Sequence, residues 1–477
     1  MSRGGEWPAD VPPPPGTPGR PGMLQRCPAS FPVRGIDALL PQGLPRPAGG
    51  APMTMLEAEV LVMGGGMAGT VAAIAAARAG AEVLLVERLG FLGGAATAAA
   101  VGQFVGWETR AGRRMVGGIA EEIVVRLQAA GGSDGHSHFT MSTGHRMDRV
   151  CYDPELLKPV LDALCAEAGV RLLFHAALLG VEREGATITA VRVLTKAGPW
   201  TVRPNTVIDA SGDLDLLASA GAEFLELAEG QSMQPATAMF RFGPMDLDAF
   251  EAIPGPELAA LARQGVEEGR LARAALHASR IQDTRDAWFN ISRIAFDATD
   301  PLALSAAEVE GRRQALAAAA FLAERVPGCA GGRLVATAPV IGVRESRRAV
   351  GRHLLTEAEL HAGTPFPDRI AWGAYPMDIH PPKGGGLHFE EFGADHAYAI
   401  PFGSLVPRGF GNVLVAGRGI SATHKAHAAI RVMPIVMAIG QAAGVAAAQS
   451  IAGNAPVAEA DTARLQARLR ADGAILP

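Results

Sequence analysis

The sequence predicts an α/β fold. It has a Rossmann-like dinucleotide-binding domain with a parallel sheet and a β-meander, plus an inserted α+β module acting as a substrate or cap domain. Three observations predict it. A strand–glycine–helix–strand unit spans Glu59 to Glu87, strand patterns crowd Val170 to Ile208, and strand returns late at Asn412 to Gly417 before a long apolar helix. Strands alternating with helical patterns read as βαβ units, and a late return to strand implies a discontinuous domain.

The first unit reads EVLVMGGGMAGTVAAIAAARAGAEVLLVE. Val60, Leu61 and Val62 form a short apolar strand, and Gly64, Gly66 and Gly69 fit G-x-G-x-x-G. In such a unit the first glycine permits a tight turn, the second admits a pyrophosphate, and the third lets helix and strand pack closely. Thr70 to Ala79 is an alanine-rich helix stopped by Gly80, and its free N–H groups would face phosphates. Met67 and Ala68 lie on that turn. Glu87 ends the second strand close to the spacing of a carboxylate that accepts from ribose hydroxyls, which disfavours a 2′-phosphate.

After Glu87, RLGFLGGAATAAAVGQF is a small-residue connector and helix. It suits either approach to a large ligand or close helix packing. Ile119 to Gln128 and Pro154 to Ala168 read as amphipathic helices, with a polar loop from Gly131 to Gly144 between them. VRLLF, LLGVERE, TITAVRVLT and TVRPNTVIDA then suggest a three-stranded meander leading into a separate parallel strand, Thr206 to Asp209. Residues 56–233 and 395–455 are therefore assigned to the nucleotide-binding domain, and 234–394 to the inserted module. The latter carries strand-like ATAMFRF and WFNISRIAF and a helix over Ala306 to Glu324. Residues 456–477 are expected as a C-terminal tail.

Composition limits the function. The 477 residues are 48% apolar with a net charge of −5, which leaves no basic footprint for nucleic acid. Cys27, Cys151, Cys165 and Cys329 form no C-x-x-C pair, which argues against a disulfide framework, a zinc site or an iron–sulfur cluster. A reducing cytoplasm is the expected location. Residues 1–55, rich in Pro and Gly up to Pro52, read as a disordered tail or a start placed upstream of Met53 or Met55. The apolar run Val432 to Ala448 suits a buried helix better than a membrane span, which needs about 20 apolar residues. No membrane partner is expected, and homo-oligomerisation stays open.

Several segments together resemble one family, the FAD-dependent oxidoreductases with a glutathione-reductase-like nucleotide fold. They are VMGGGMAGTVAAIAAARAG, VERLGFLGG, YDPELLKPVLDALCAEAGV, VIDASGDLDLLASAGAEF, IGVRESRRAVGRHLLTEAEL, AYPMDIHPP and the long LVPRGFGNVLVAGRGISATHKAHAAIRVMPIVMAIGQAAGVAAA. The resemblance implies FAD as the dinucleotide. Gly64, Gly66 and Gly69 would hold its pyrophosphate, Glu87 and Arg88 its ribose, and Gly93 and Gly94 its ribityl side. Leu178 would contact adenine, with Gly212 and Asp213 near the same end. Gly417 and Arg418 stand where relatives have Gly-Asp, so Arg418 could pair with a phosphate. The helix starting near Met433 would aim its positive end at the flavin. Succinate dehydrogenase and fumarate reductase relatives bond FAD covalently to a histidine before the Gly-Gly connector. No histidine lies between Arg88 and Arg113, so the FAD is expected to be non-covalent.

The chemistry candidates are polar clusters. His424, His427 and Arg431 crowd ISATHKAHAAIRV, where histidine suits proton transfer and arginine suits a carboxylate. They could equally cap loops. Arg344 and Glu345 in GVRESRRAVG are expected in the wall of the site, against the alternative of a solvated helix face. Asp378 and His380, two apart on a strand-like segment, share one face and could line a cleft. His136, His138 and His145 match no metal spacing and read as a mobile surface loop; no metal is expected. The reading is an oxidoreductase, dehydrogenase or reductase, passing hydride between flavin and a small organic substrate. Its electron donor or acceptor is unidentified. A flavin monooxygenase and a non-catalytic flavin sensor are the alternatives.

Overall fold

The structure, a computed structural model, describes residues 55–140, 146–229, 231–381 and 388–476. The expected N-terminal tail, Cys27 and His145 lie outside these residues.

The main sheet is built on buried apolar strands. β1 (Met55–Met63), β2 (Val83–Val86), β3 (Arg171–Leu173), β4 (Ala177–Glu184), β5 (Thr187–Thr195), β6 (Gly198–Asp209) and β7 (Val413–Val415) pair in the order β3-β2-β1-β6-β5-β4, with β7 beside β6. The pairs β3–β2, β2–β1, β1–β6 and β6–β7 are parallel, while β4–β5 and β5–β6 are antiparallel. Val60, Leu61, Val62, Leu84, Leu85, Val207, Ile208 and Leu414 are fully buried, as expected of parallel strands covered on both faces.

Two expectations about these strands are corrected. VRLLF is the parallel edge strand β3, outside the meander. The meander's third strand and the expected separate strand are one continuous element, β6. Its first half pairs with β5 (Thr201 opposite Arg192), and its second half takes β7 as neighbour (Val207 opposite Val413). Asn412 secures this junction, with its side-chain oxygen accepting from Ile188 N–H at 2.9 Å and its amide donating to Asn205 O at 3.1 Å.

Helix α1 (Met67–Arg78) and helix α2 (Met433–Gly453) form the tightest helix pair. A Cβ at Gly440 would lie 2.2 Å from Ala68 O, and one at Gly444 would lie 2.1 Å from Ala72 O. Residue 440 therefore meets 68 and 444 meets 72, so the two helices run parallel. α2 is long and apolar enough to cross a membrane by length and composition, yet 78% of that stretch is buried inside the protein.

Residues 234–342 build a second core. Ala278–Arg280, Ala287–Phe289, Phe240–Gly243 and Arg333–Thr337 form an antiparallel sheet in that spatial order. The helix Pro301–Arg325 packs Ala315, Ala318, Phe321 and Leu322 against it. Asp300 caps this helix by accepting from Leu302 and Ala303 N–H.

Other local expectations change as well. The small-residue connector after Glu87 holds a short 3-10 turn, Gly94–Ala96, in place of a helix. The polar loop from Gly131 contains a strand, His136–Thr140, paired with Arg146–Cys151. There His136 contacts Glu121 at 3.0 Å and His138 contacts Glu108, so both histidines are hydrogen-bonded to carboxylates of the protein. GVRESRRAVG is extended, with isolated bridges in place of a helix face. Residues 456–477, expected as a tail, carry the helix Thr462–Ala471, whose Leu465 and Leu469 are buried in the main core.

Candidate active site

The carboxyl ends of β1, β2, β6 and β7 open onto one cavity of about 360 Å³. Ligands of open parallel sheets bind at this end of the strands. Each strand delivers its residues there directly: Gly64 after β1, Glu87 and Arg88 after β2, Gly212 and Asp213 after β6, Gly417 and Arg418 after β7.

The three motif glycines divide their work. Gly64 has φ +102°, and a Cβ there would strike Ala210 O at 2.5 Å. At Gly69 a Cβ would lie 1.9 Å from Gly64 O, so this glycine sets the approach of α1 to the turn and does not line the cavity. Gly66 has nothing within 4 Å of a built Cβ, because that side is the cavity itself. It is also the N-cap of α1, with no side-chain cap and no acid in the first turn, so the first N–H groups have no side-chain partner. Gly66, Met67 and Ala68 all line the cavity, as do Gly93 and Gly94. A pyrophosphate fits this cradle: open space, uncapped donors and no acid in the first turn of the helix.

Glu87 is buried and held in place, accepting from Gly65 N–H at 2.7 Å and Leu89 N–H at 2.8 Å. Arg418 departs from its expected role. Its guanidinium donates to Asp213 at 2.6 Å and to Val343 O at 2.7 Å, so its partners are protein groups. Leu178 does not line the cavity; it sits on β4, the outer meander strand, partly packed on the main core.

The far end of the cavity is reached by Met433. Helix α2 also starts without a side-chain cap or an acid in its first turn, and Val432, Met433 and Val436 face the same space as α1. Around this end stand Arg273, His277, Asn290, Arg344, Tyr375, Asp378, His380 and Arg431. Asp378 Oδ2 accepts from the Tyr375 hydroxyl at 3.2 Å and lies 3.1 Å from His380 Nε2 and 3.7 Å from Arg431. Burial would raise the Asp378 carboxyl, but His380, Arg431 and Arg344 outweigh it and hold the group ionised. Burial, aided by Arg344, pushes His380 down to about 3. A neutral His380 facing that carboxylate carries its proton on Nε2, which leaves Nδ1 as the basic nitrogen.

Arg344 donates to Pro235 O at 2.6 Å, and Arg431 to Gln234 Oε1 and Asp378 O, both at 3.2 Å. Burial and the neighbouring Arg431 and Arg273 bring Arg344 down to about 9. Burial and Arg273 bring His277 down to about 4. Arg273 is 2% exposed, and among the described residues it has no hydrogen-bond or ion-pair partner.

The expected catalytic set divides. Arg344 and Arg431 line the cavity, whereas His424 and His427 do not. Thr423 caps the helix His424–Ile430, in which every side chain but that of Lys425 is buried. His424 Nδ1 lies 2.8 Å from Glu345 Oε1, and Glu345 also accepts from Gln234 N–H. His427 is fully buried with neither ring nitrogen partnered, and burial pushes it down to about 3. Glu345 thus stands behind the wall while its neighbour Arg344 forms it. Arg273, His277, Asn290 and Tyr375 were missed. Arg273, His277 and Asn290 are single residues whose companions arrive from distant segments, while Tyr375 lies in the AYPMDIHPP segment beside its partner Asp378.

The profile of the family described as FAD dependent oxidoreductase matches residues 59–469. No curated protein matches. Among solved structures, the chain is similar to a geranylgeranyl bacteriochlorophyll reductase-like protein from Thermoplasma acidophilum. Identity is 15%, covering 88% of this chain and 84% of that one, with a TM-score of 0.48. It is also similar to the anhydrotetracycline hydroxylase OxyS from Streptomyces rimosus, at 15% identity over 87% of this chain and 65% of that one, with a TM-score of 0.45. The flavin-dependent brominase Bmp2 shares 13% identity, over 84% of this chain and 80% of that one, with a TM-score of 0.44.

Proposed function

The chain belongs to the FAD dependent oxidoreductase family, and from that premise we propose that it dehydrogenates or reduces a small organic substrate in the cavity. One observation carries this reading. A single cavity joins the glycine cradle at α1 to the Asp378–His380 pair and the arginines beyond the start of α2. Gly64, Gly66, Met67 and Ala68 would hold the pyrophosphate, and Glu87 the ribose. The N-terminus of α2 would favour negative charge at the other end. FAD, when bound, supplies the hydride acceptor or donor. The protein's own residues then orient the substrate and move its proton. Arg344 and Arg431 are the orienting groups, and Nδ1 of His380, positioned through Nε2 by Asp378, is the proton acceptor. Residues 234–342, which carry their own core, serve as the cap over this cleft.

Anaerobic bleaching of the flavin against a substrate library tests the reading, followed by reoxidation with candidate acceptors. Substrate-dependent bleaching without oxygen is expected; oxygen consumption requiring both substrate and NAD(P)H points instead to a monooxygenase. Heat denaturation is expected to release flavin into the supernatant. In Gly66→Leu, a side chain fills the open side of the cradle, and the purified protein is expected to be colourless. A yellow, fully loaded Gly66→Leu would remove the pyrophosphate from this turn.

A further inference from the structure

The wall beyond α2 has an unusual charge balance. Three guanidinium groups, Arg273, Arg344 and Arg431, face the cavity there against one carboxylate, Asp378. His277 and His380 are pushed towards their neutral forms by burial and add no compensating charge. Arg344 and Arg431 are anchored to Pro235 O, Gln234 and Asp378. Arg273 is different. It is nearly inaccessible, it lines the cavity, and its Nε lies buried without a partner. Arginine is almost never fully buried unless paired, because an uncompensated internal charge is costly. A fold that keeps such a group beside a cavity holds it ready for an anion that arrives from outside. A guanidinium presents a planar fork of donors that matches an oxyanion.

We propose that Arg273, backed by the positive wall of Arg344 and Arg431, binds an oxyanion carried by the substrate, so that the substrate is a small organic carboxylate or phosphate ester. This rests on the reading of the cavity as the substrate site. It adds the chemical class of the substrate and a specificity-determining residue.

The test is binding, measured without turnover. FAD-loaded protein is titrated with malonate and, separately, with glycerol phosphate, following the flavin absorption band and the heat of binding. Saturable binding of either anion is expected, and the tighter arm identifies the oxyanion. Arg273→Met is expected to weaken that binding tenfold or more and Arg273→Lys by less, with flavin content unchanged. The melting temperature of ligand-free Arg273→Met is expected to hold or rise, because the substitution removes an unpaired buried charge; a merely structural arginine would lower it. Three results overturn the proposal: neither anion binds, the affinity is equal in Arg273→Met, or that variant loses flavin in place of anion affinity. If Arg273→Met does not fold, the wild-type and Arg273→Lys titrations decide alone. The two readings fail separately. Flavin that is bleached by neutral substrates yet indifferent to both anions sinks this proposal only. Anion binding in a protein that no substrate reduces sinks the redox reading only.

Discussion

Two histidine-bearing clusters sit back to back in this molecule. One, His380 with Asp378, Tyr375 and Arg431, faces the cavity. The other, His424 and His427 with Glu345 and Arg348, is packed behind it. Both contain a carboxylate beside an imidazole and an arginine, and in both burial depresses a histidine. Composition therefore does not separate them. What separates them is access, because the first has a ring nitrogen left for a ligand, while the second is closed by its own neighbours. Chemistry is assigned to the first and cohesion to the second.

The largest effect that can break this contrast is on rate. His380→Ala is expected to slow flavin reduction by about 10²–10⁴-fold in stopped-flow measurements while retaining FAD. His424→Ala is expected to leave the reduction rate of the folded protein within about threefold of wild type. Comparable losses in the two variants would dissolve the distinction.

Next is stability. Glu345 has a fully buried side chain that accepts from His424 and from Gln234 N–H, with Arg348 at 3.5 Å. Glu345→Ala leaves that arginine without its carboxylate and is expected to cost about 3 kcal/mol in denaturant unfolding. A cost below about 1 kcal/mol would mean that the rear cluster is not structural.

The pH dependence comes third. His277, His380 and His427 are lowered to about 4, 3 and 3 in the folded protein. Between those values and about 6.5, each takes up a proton only on unfolding. Stability is therefore complete above about pH 6.5 and falls as pH drops through that window, by up to about 1.4 kcal/mol per pH unit for each histidine. His427→Met should flatten this slope in urea titrations while leaving flavin reduction unchanged.

The smallest effect lies away from both clusters. Burial raises Asp162 to about 6, and one of its oxygens is buried without a partner. Asp162→Asn is expected to raise stability at pH 7 by about 1 kcal/mol, an increase that shrinks as pH falls below about 6 and disappears below about 4. An unchanged melting temperature at pH 7 would refute the burial argument.

Much of the cofactor end was legible in the sequence because its signals are local. Gly64, Gly66, Gly69 and Glu87 lie on one β–α–β unit, where spacing alone fixes which end of the strands they occupy. The other end is assembled from Arg273, Arg344, Asp378 and Arg431, and no local period connects them. Arg273 gave no signal, since its significance is the absence of a nearby partner, which only the folded chain reveals. The HKAHAAIR segment misled for the converse reason. Its residues cluster in sequence, but the Thr423 cap and helical period turn His424 and His427 inward, while Arg431 at the helix end escapes to the cavity. β6 was misread as two strands because a change of neighbours halfway along leaves no break in the chain.

The seam between α1 and α2 also acts as a ruler. With residue 440 over 68 and 444 over 72, the start of α2 at Met433 projects past the start of α1 by about 9 Å, six residues at 1.5 Å of rise each. Two positive poles are thereby held at a fixed stagger along one trough. Their separation is set neither by loops nor by the ligand, but by two side chains that are missing from the contact. Lengthening or shortening the reach between the poles would require sliding this seam by a whole helical turn. The fold thus sets from inside the spacing that a ligand bridging both poles has to match.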